Sequence, residues 1–166
     1  MTAALTTSRA LRLAVFGVAA LVLAADQVSK SLAVAAGPGR GGGGMISVRL
    51  VRNTGASFGI GAGHPLVITL TAAAVLTVAL VLLARARGRT VAVSLAAVTG
   101  GAVGNLADRL FRGPGFGRGA VVDWIHVAGY PSTFNLADVT IRLGAVCAIV
   151  ASLLASPRRT KSGETR

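Results

Sequence analysis

LVITLTAAAVLTVALVLLA, residues 66–84, carries no charge, and its only polar groups are threonines. A helix needs about 20 mostly apolar residues to cross the hydrocarbon core of a bilayer. A threonine hydroxyl bonds back to its own helix, so this stretch meets the requirement unaided. Three further stretches are candidates on either side of it: 11–36, 91–110 and 135–155. Each has a shorter purely apolar run and a polar group near one end, so each is weaker alone than in company. The composition supports the set. The 166 residues are 53% hydrophobic and only 13% charged, whereas an ordinary soluble domain is about 25% charged.

The formal charge of +12 would suit a nucleic-acid partner, but a groove binder displays its charge on a polar surface. Here apolar runs divide the basic residues into clusters, so no nucleic acid is expected and membrane lipid is the natural surrounding. Arg9 and Arg12 precede span one, Arg85, Arg87 and Arg89 crowd the link between spans two and three, and Arg158, Arg159, Lys161 and Arg166 follow span four. Basic residues beside short loops favour the cytoplasmic side. The expectation is a single domain, 1–166, with both termini and the tail 156–166 inside and two longer outer loops, 37–65 and 111–134. Arg9 and Arg12 ahead of an apolar core would also suit a secretory signal peptide, a reading that the three later spans weaken. The first loop opens on a glycine-rich run, 37–44, and continues into 45–51, a partial strand alternation ended by Asn53-Thr54-Gly55. Residues 120–127 read as a second short strand, which implies a small β element at the outer surface.

The acidic residues carry most of the information. Apart from Glu164 in the tail they are Asp26, Asp108, Asp123 and Asp138, and under this topology all four come to the outer face. A charge in or near hydrocarbon costs a few kcal/mol on the mildest scales, roughly 2.5–3.5, so four on one face imply a site. Asp26 and Lys30 have the i,i+4 order that favours an ion pair, for which a purely structural role is an even alternative. Asn105, Asp108 and Arg109 fall within about one turn. Asn135 and Asp138 are three apart, and Arg142 follows where it could pair with Asp138. Two carboxylates sharing a site cannot both ionise cheaply, so together they offer an acid and a base. Such a pair activates water against a carbonyl, and peptide hydrolysis is its obvious use.

Other chemistries lack parts. Ser29 adjoins Lys30, but helix neighbours point about 100° apart. Asp123-x-x-His126 could contribute to a metal site, yet zinc wants at least three protein ligands. His64 has no partner in the sequence, and Cys147 sits mid-span without a nearby base. Neither a metal nor an organic cofactor is expected. The main rival is a four-span proton or cation transporter using its membrane-edge carboxylates as a relay. That would need a polar path to the other face, and the inner halves of the spans offer little beyond Thr77, Cys147 and Ser152.

Five blocks resemble the lipoprotein signal peptidases, or signal peptidase II, of bacterial membranes. They are Asp26-Gln27-Val28-Ser29-Lys30; Asn53-Thr54-Gly55-Ala56-Ser57-Phe58-Gly59; Gly100-Gly101-Ala102-Val103-Gly104-Asn105-Leu106-Ala107-Asp108-Arg109; Val121-Val122-Asp123-Trp124; and Phe134-Asn135-Leu136-Ala137-Asp138. The resemblance implies an all-α membrane fold of four transmembrane helices with a small extracytoplasmic β cradle. It implies an aspartic endopeptidase of the bacterial cell membrane, active near the outer face. Its substrates would be diacylglyceryl-modified prolipoproteins, cut just before the lipidated cysteine. By motif match Asp123 and Asp138 would be the catalytic pair, and Asn135 would orient them. Asp26, Lys30, Asn53, Gly101, Asn105, Asp108 and Arg109 would shape the site and hold substrate. A monomer is the expected state. The glycine-rich run and Arg142 have no counterpart in the resemblance.

Overall fold

The computed structural model describes residues 9–37, 44–56 and 60–155. The basic tail, most of the glycine-rich run and the Ser57-Phe58-Gly59 end of the second block lie outside the described residues. Four helices dominate: α1 (Arg9–Ala36), α2 (Pro65–Ala84), α3 (Arg89–Phe111) and α4 (Leu136–Ala155). All four are long and apolar enough to cross a membrane. Three strands, β1 (Ile46–Asn53), β2 (Val121–Val127) and β3 (Thr133–Phe134), form one antiparallel sheet in the order β1-β2-β3. The protein is a multi-pass membrane bundle with a small sheet at one end.

α3 lies at the centre and packs against each of the other three helices. Small residues make this possible, because helix axes approach closely only where side chains are short. A Cβ on Gly101 would stand 2.8 Å from the Ala137 carbonyl of α4, and one on Gly104 would stand 2.5 Å from Asp26 Oδ2 of α1. Leu95, Ala96, Val98 and Ala102 are buried, while Phe16, Leu21, Leu70 and Leu153 on the surrounding helices are 69–72% exposed. In water such a surface would drive aggregation; against lipid tails it is the expected exterior. α2 is apolar on every side and about 30 Å long at 1.5 Å per residue.

The sheet explains why the alternation in the first loop is only partial. Val48 pairs with Ile125 and Val51 with Asp123, so Arg49 and Leu50 together oppose Trp124. This bulge turns the strand by one side-chain step. Counting strictly from Ile46 would set Asn53 on the opposite face from Val48. With the bulge, Val51 and Asn53 join the face that carries Asp123, since Asn53 pairs with Val121.

Candidate active site

α1 and α3 run side by side and in the same direction, and α4 returns antiparallel to α3. Hence the end of α1, the end of α3 and the beginning of α4 meet beneath the sheet. Asp26, Lys30, Asp108, Asp123 and Asn135 are buried there, at 0–2% exposed.

The first group is ionic. Lys30 Nζ lies 2.7 Å from Asp26 Oδ2 and 2.9 Å from Asp108 Oδ2, and Arg112 Nε lies 2.6 Å from Asp108 Oδ1. Two cations thus balance two carboxylates, as buried charges require. The remaining oxygen lone pairs join the group to the rest of the fold. Asp26 Oδ1 accepts the Ala137 N–H at 3.0 Å, holding the start of α4, and Asp108 Oδ2 accepts the Val122 N–H at 3.2 Å, holding β2. The i,i+4 reading of Asp26 and Lys30 therefore captured half of a four-membered cluster. Arg112 was missed, although Asp108 and Arg112 have the same acid-first spacing. Gln27 was missed too; its amide donates to Asp108 Oδ1 and to the Gly104 carbonyl.

The second group holds the two remaining aspartates. Asp123 projects from β2. Its Oδ1 accepts Asn135 Nδ2 at 2.6 Å, and its Oδ2 accepts Asn53 Nδ2 at 3.1 Å. Asp138 lies in the first turn of α4, where a carboxylate is favoured by the helix dipole. Its Oδ1 accepts Asn105 Nδ2 at 3.0 Å and its Oδ2 the Asn135 N–H at 3.3 Å. A spacing of three would put Asn135 and Asp138 on one helix face if both were helical, but α4 begins one residue after Asn135. Asn135 Oδ1 instead accepts the Asp138 N–H at 2.9 Å. The two residues form a reciprocal capping box, which fixes the Asn135 amide with its nitrogen toward Asp123.

Asn105 connects the groups. Its Oδ1 accepts Lys30 Nζ at 2.8 Å and Asn135 Nδ2 at 3.2 Å, while its Nδ2 donates to Asp138. Gly101 is part of the close α3–α4 contact described above and makes no polar contact of its own. Arg109 was expected to shape the site, and its guanidinium donates to the Gly55 carbonyl at 3.0 Å and to that of Asn105 at 3.1 Å. It thereby draws the Asn53–Gly55 turn over the site. Arg142 makes no ion pair with Asp138 among the described residues; its guanidinium lies 5.9 Å from the centre of the Phe134 ring. Asp123 and His126 are three apart on a strand, so their side chains leave opposite faces, and the two cannot ligate one metal.

Asp123, Asp138, Asn53, Asn105 and Arg109 all line one cavity of about 220 Å³. Burial, and secondarily the Asp138 carboxylate, lift Asp123 from 3.8 to about 6; the hydrogen bonds from Asn53 and Asn135 act in the opposite direction. Asp123 therefore holds a proton to higher pH than an ordinary carboxyl, as the acid of a carboxylate pair must.

Comparison with known proteins supplies the family and the fold. Residues 18–154 match the family model described as signal peptidase (SPase) II. A lipoprotein signal peptidase of Rhodococcus jostii is 42% identical over 157 residues, covering 92% of this chain and 79% of its own. One from Mycobacterium avium is 40% identical over 167 residues, covering 95% and 91%. A solved bacterial membrane enzyme structure, obtained by the in meso method at 2.3 Å, shares the fold with a TM-score of 0.73 at 23% identity, over 92% of this chain and 94% of that one. Two inward carboxylates on a four-helix membrane bundle, with a family match across most of the sequence, leave one assignment: the chain belongs to the signal peptidase II family.

Proposed function

We propose that the protein is the aspartic endopeptidase that removes signal peptides from diacylglyceryl-modified prolipoproteins, cutting before the lipidated cysteine. The observation that carries this reading is the pair Asp123 and Asp138, bridged by Asn135 in a cavity at the rim of the bundle. Asp123 holds the shared proton and donates it to the scissile carbonyl oxygen. Asp138 takes a proton from water as that water attacks the carbonyl carbon, giving a tetrahedral diol. Proton return to the departing amide nitrogen then breaks the C–N bond, and no covalent enzyme intermediate forms.

The surroundings suit such a substrate. A signal helix and two acyl chains already reside in the bilayer, so they reach the bundle by lateral diffusion. The dyad sits where a helix end meets the sheet, a level that water can enter, unlike the hydrocarbon centre. Asn53 and Ala56 form the side of the cavity over which an extended peptide would pass. Arg9, Arg85, Arg87 and Arg89 gather at the opposite end of the bundle, which orients that end and both termini toward the cytoplasm. The dyad then faces the outside of the bacterial cell membrane, and the protein acts as a monomer. The transporter reading has no support in the family match.

The test uses purified protein in detergent with two versions of one prolipoprotein, diacylglyceryl-modified and unmodified. Cleavage before the cysteine of the lipidated form alone is the expected result. Equal cleavage of both forms would remove the lipid from the specificity, and cleavage of neither by folded protein would remove the activity.

A further inference from the structure

A second, larger cavity lies at the other end of the bundle, between the end of α2, the beginning of α3 and the end of α4. It measures about 720 Å³, and Leu82, Val91, Leu95, Ala148, Ile149 and Leu153 make its walls apolar. Leu95 lies about 15 Å along α3, at 1.5 Å per residue, from Asn105, the α3 residue that bonds Asp138, so the dyad does not reach it. Its mouth is positive. Arg85 and Arg87 line it, both are exposed, and neither joins an ion pair among the described residues, where every such pair belongs to the Lys30–Arg112 cluster. The adjoining start of α3 adds to that charge. The first N–H groups of a helix have no intrahelical acceptor, and at α3 Gly88 offers no side-chain cap and no acidic residue occupies the first turn.

An apolar slot with an unpaired cationic mouth, at the level where a helix leaves the membrane, is complementary to one kind of molecule. We propose that it binds an anionic glycerophospholipid of the adjacent leaflet, with an acyl chain along Leu95 and Ile149 and the phosphate between Arg85 and Arg87. The chain's own tail is a poor occupant, because residues 156–166 add Arg158, Arg159, Lys161 and Arg166 against the single Glu164. A second copy would bring the same positive mouth against itself.

The experiment uses the full chain in a neutral detergent. Phosphatidylglycerol, phosphatidylcholine with the same acyl chains, and glycerol 3-phosphate are each titrated in, and retained lipid is counted by native mass spectrometry alongside Tm. One phosphatidylglycerol should be retained and raise Tm, whereas the other two should have little effect. In Arg85→Gln/Arg87→Gln the apparent affinity should fall about tenfold or more, since two charge-assisted contacts are lost. Ile149→Trp, which fills the slot, should also lose retention, and Arg9→Gln/Arg12→Gln, at the same end but outside the slot, should not. Prolipoprotein cleavage by the Arg85/Arg87 variant should stay at the parental rate, which shows that it folds. Equal effects of the two lipids, or undiminished retention by the arginine variant, would overturn the proposal. Equal stabilisation by glycerol 3-phosphate would replace it with a headgroup-only site. Stabilisation that follows protein concentration would assign the slot to a second copy, and phosphatidylglycerol binding that appears only after removal of 156–166 would assign it to the tail.

Discussion

At the scale of single residues, the proposed mechanism turns on the proton of Asp123. With its carboxyl at about 6, the dyad has its acid below that pH and loses it above. The maximal cleavage rate should therefore fall as pH rises through about 6, tenfold per unit on the alkaline limb. Two substitutions move the Asp123 carboxyl itself in opposite directions. Asn53→Ala removes a hydrogen bond that favours the ionised form, so the limb should rise. In Asp138→Asn the neighbouring negative charge is gone, so the Asp123 carboxyl should titrate lower by carbon NMR. It should not return fully to 3.8, because burial is the larger cause. The stability sign is the same. Between 3.8 and about 6 the folded protein keeps a proton that the unfolded chain releases, so this group's contribution to stability declines as pH rises across that window.

Lys30 offers a second test at this scale. Lys30→Met leaves Asp26 and Asp108 buried with only Arg112 as a counter-charge, and uncompensated burial of this kind costs about 3–5 kcal/mol. Thermal unfolding should show that loss, and the pair Asp26→Asn with Lys30→Met should lose less than Lys30→Met alone. An unchanged Tm for Lys30→Met would show that the cluster does not hold the helices together.

At the scale of elements, close approach of α3 to its neighbours positions both aspartate groups. Gly104→Ala would thrust a methyl group against the Asp26 carboxylate. Displacing a paired carboxylate should cost roughly 1–3 kcal/mol, with lower Tm and lower cleavage together. This level was partly legible in the sequence. Four apolar runs and the acid-first spacing of Asp26 and Lys30 are local patterns, and the helices and that pair follow from them. The bulge was not legible, because an extra residue breaks strand alternation without naming where the phase resumes; only pairing with β2 shows that Asn53 and Asp123 share a face. The capping box was hidden differently. Asn135 and Asp138 at i,i+3 suit a shared helix face and an N-terminal cap equally, and the helix boundary alone decides between them.

At the scale of the whole molecule, the membrane sorts the residues. Lipid-facing Leu, Val and Phe cover the bundle, the arginine clusters hold one end, and the carboxylates meet at the other. Orientation can be read directly in a Cys147→Ala background. Phe116→Cys should react with a membrane-impermeant maleimide on intact spheroplasts, and Arg87→Cys should react only after permeabilisation. The reverse pattern would invert the topology. The convergence of four aspartates was legible from the placement of Asp26, Asp108 and Asp138 at span ends and of Asp123 in the outer loop between spans three and four. Their division into an ion cluster and a dyad was not, since it depends on which side chains meet across three helices and a sheet. Arg112 and Gln27 join Asp108 only through that assembly.

Catalysis by Asp123 and Asp138 is the proposal on which the function rests. It is tested most directly by comparing the parent with Asp123→Asn and Asp138→Asn on a lipidated prolipoprotein, with Tm measured on the same samples. Each substitution should lower the cleavage rate by about a thousandfold or more, as loss of an acid or base acting in a coupled pair requires, while both variants still unfold cooperatively. A folded variant of either kind that cuts at the parental rate would show that the pair is not catalytic.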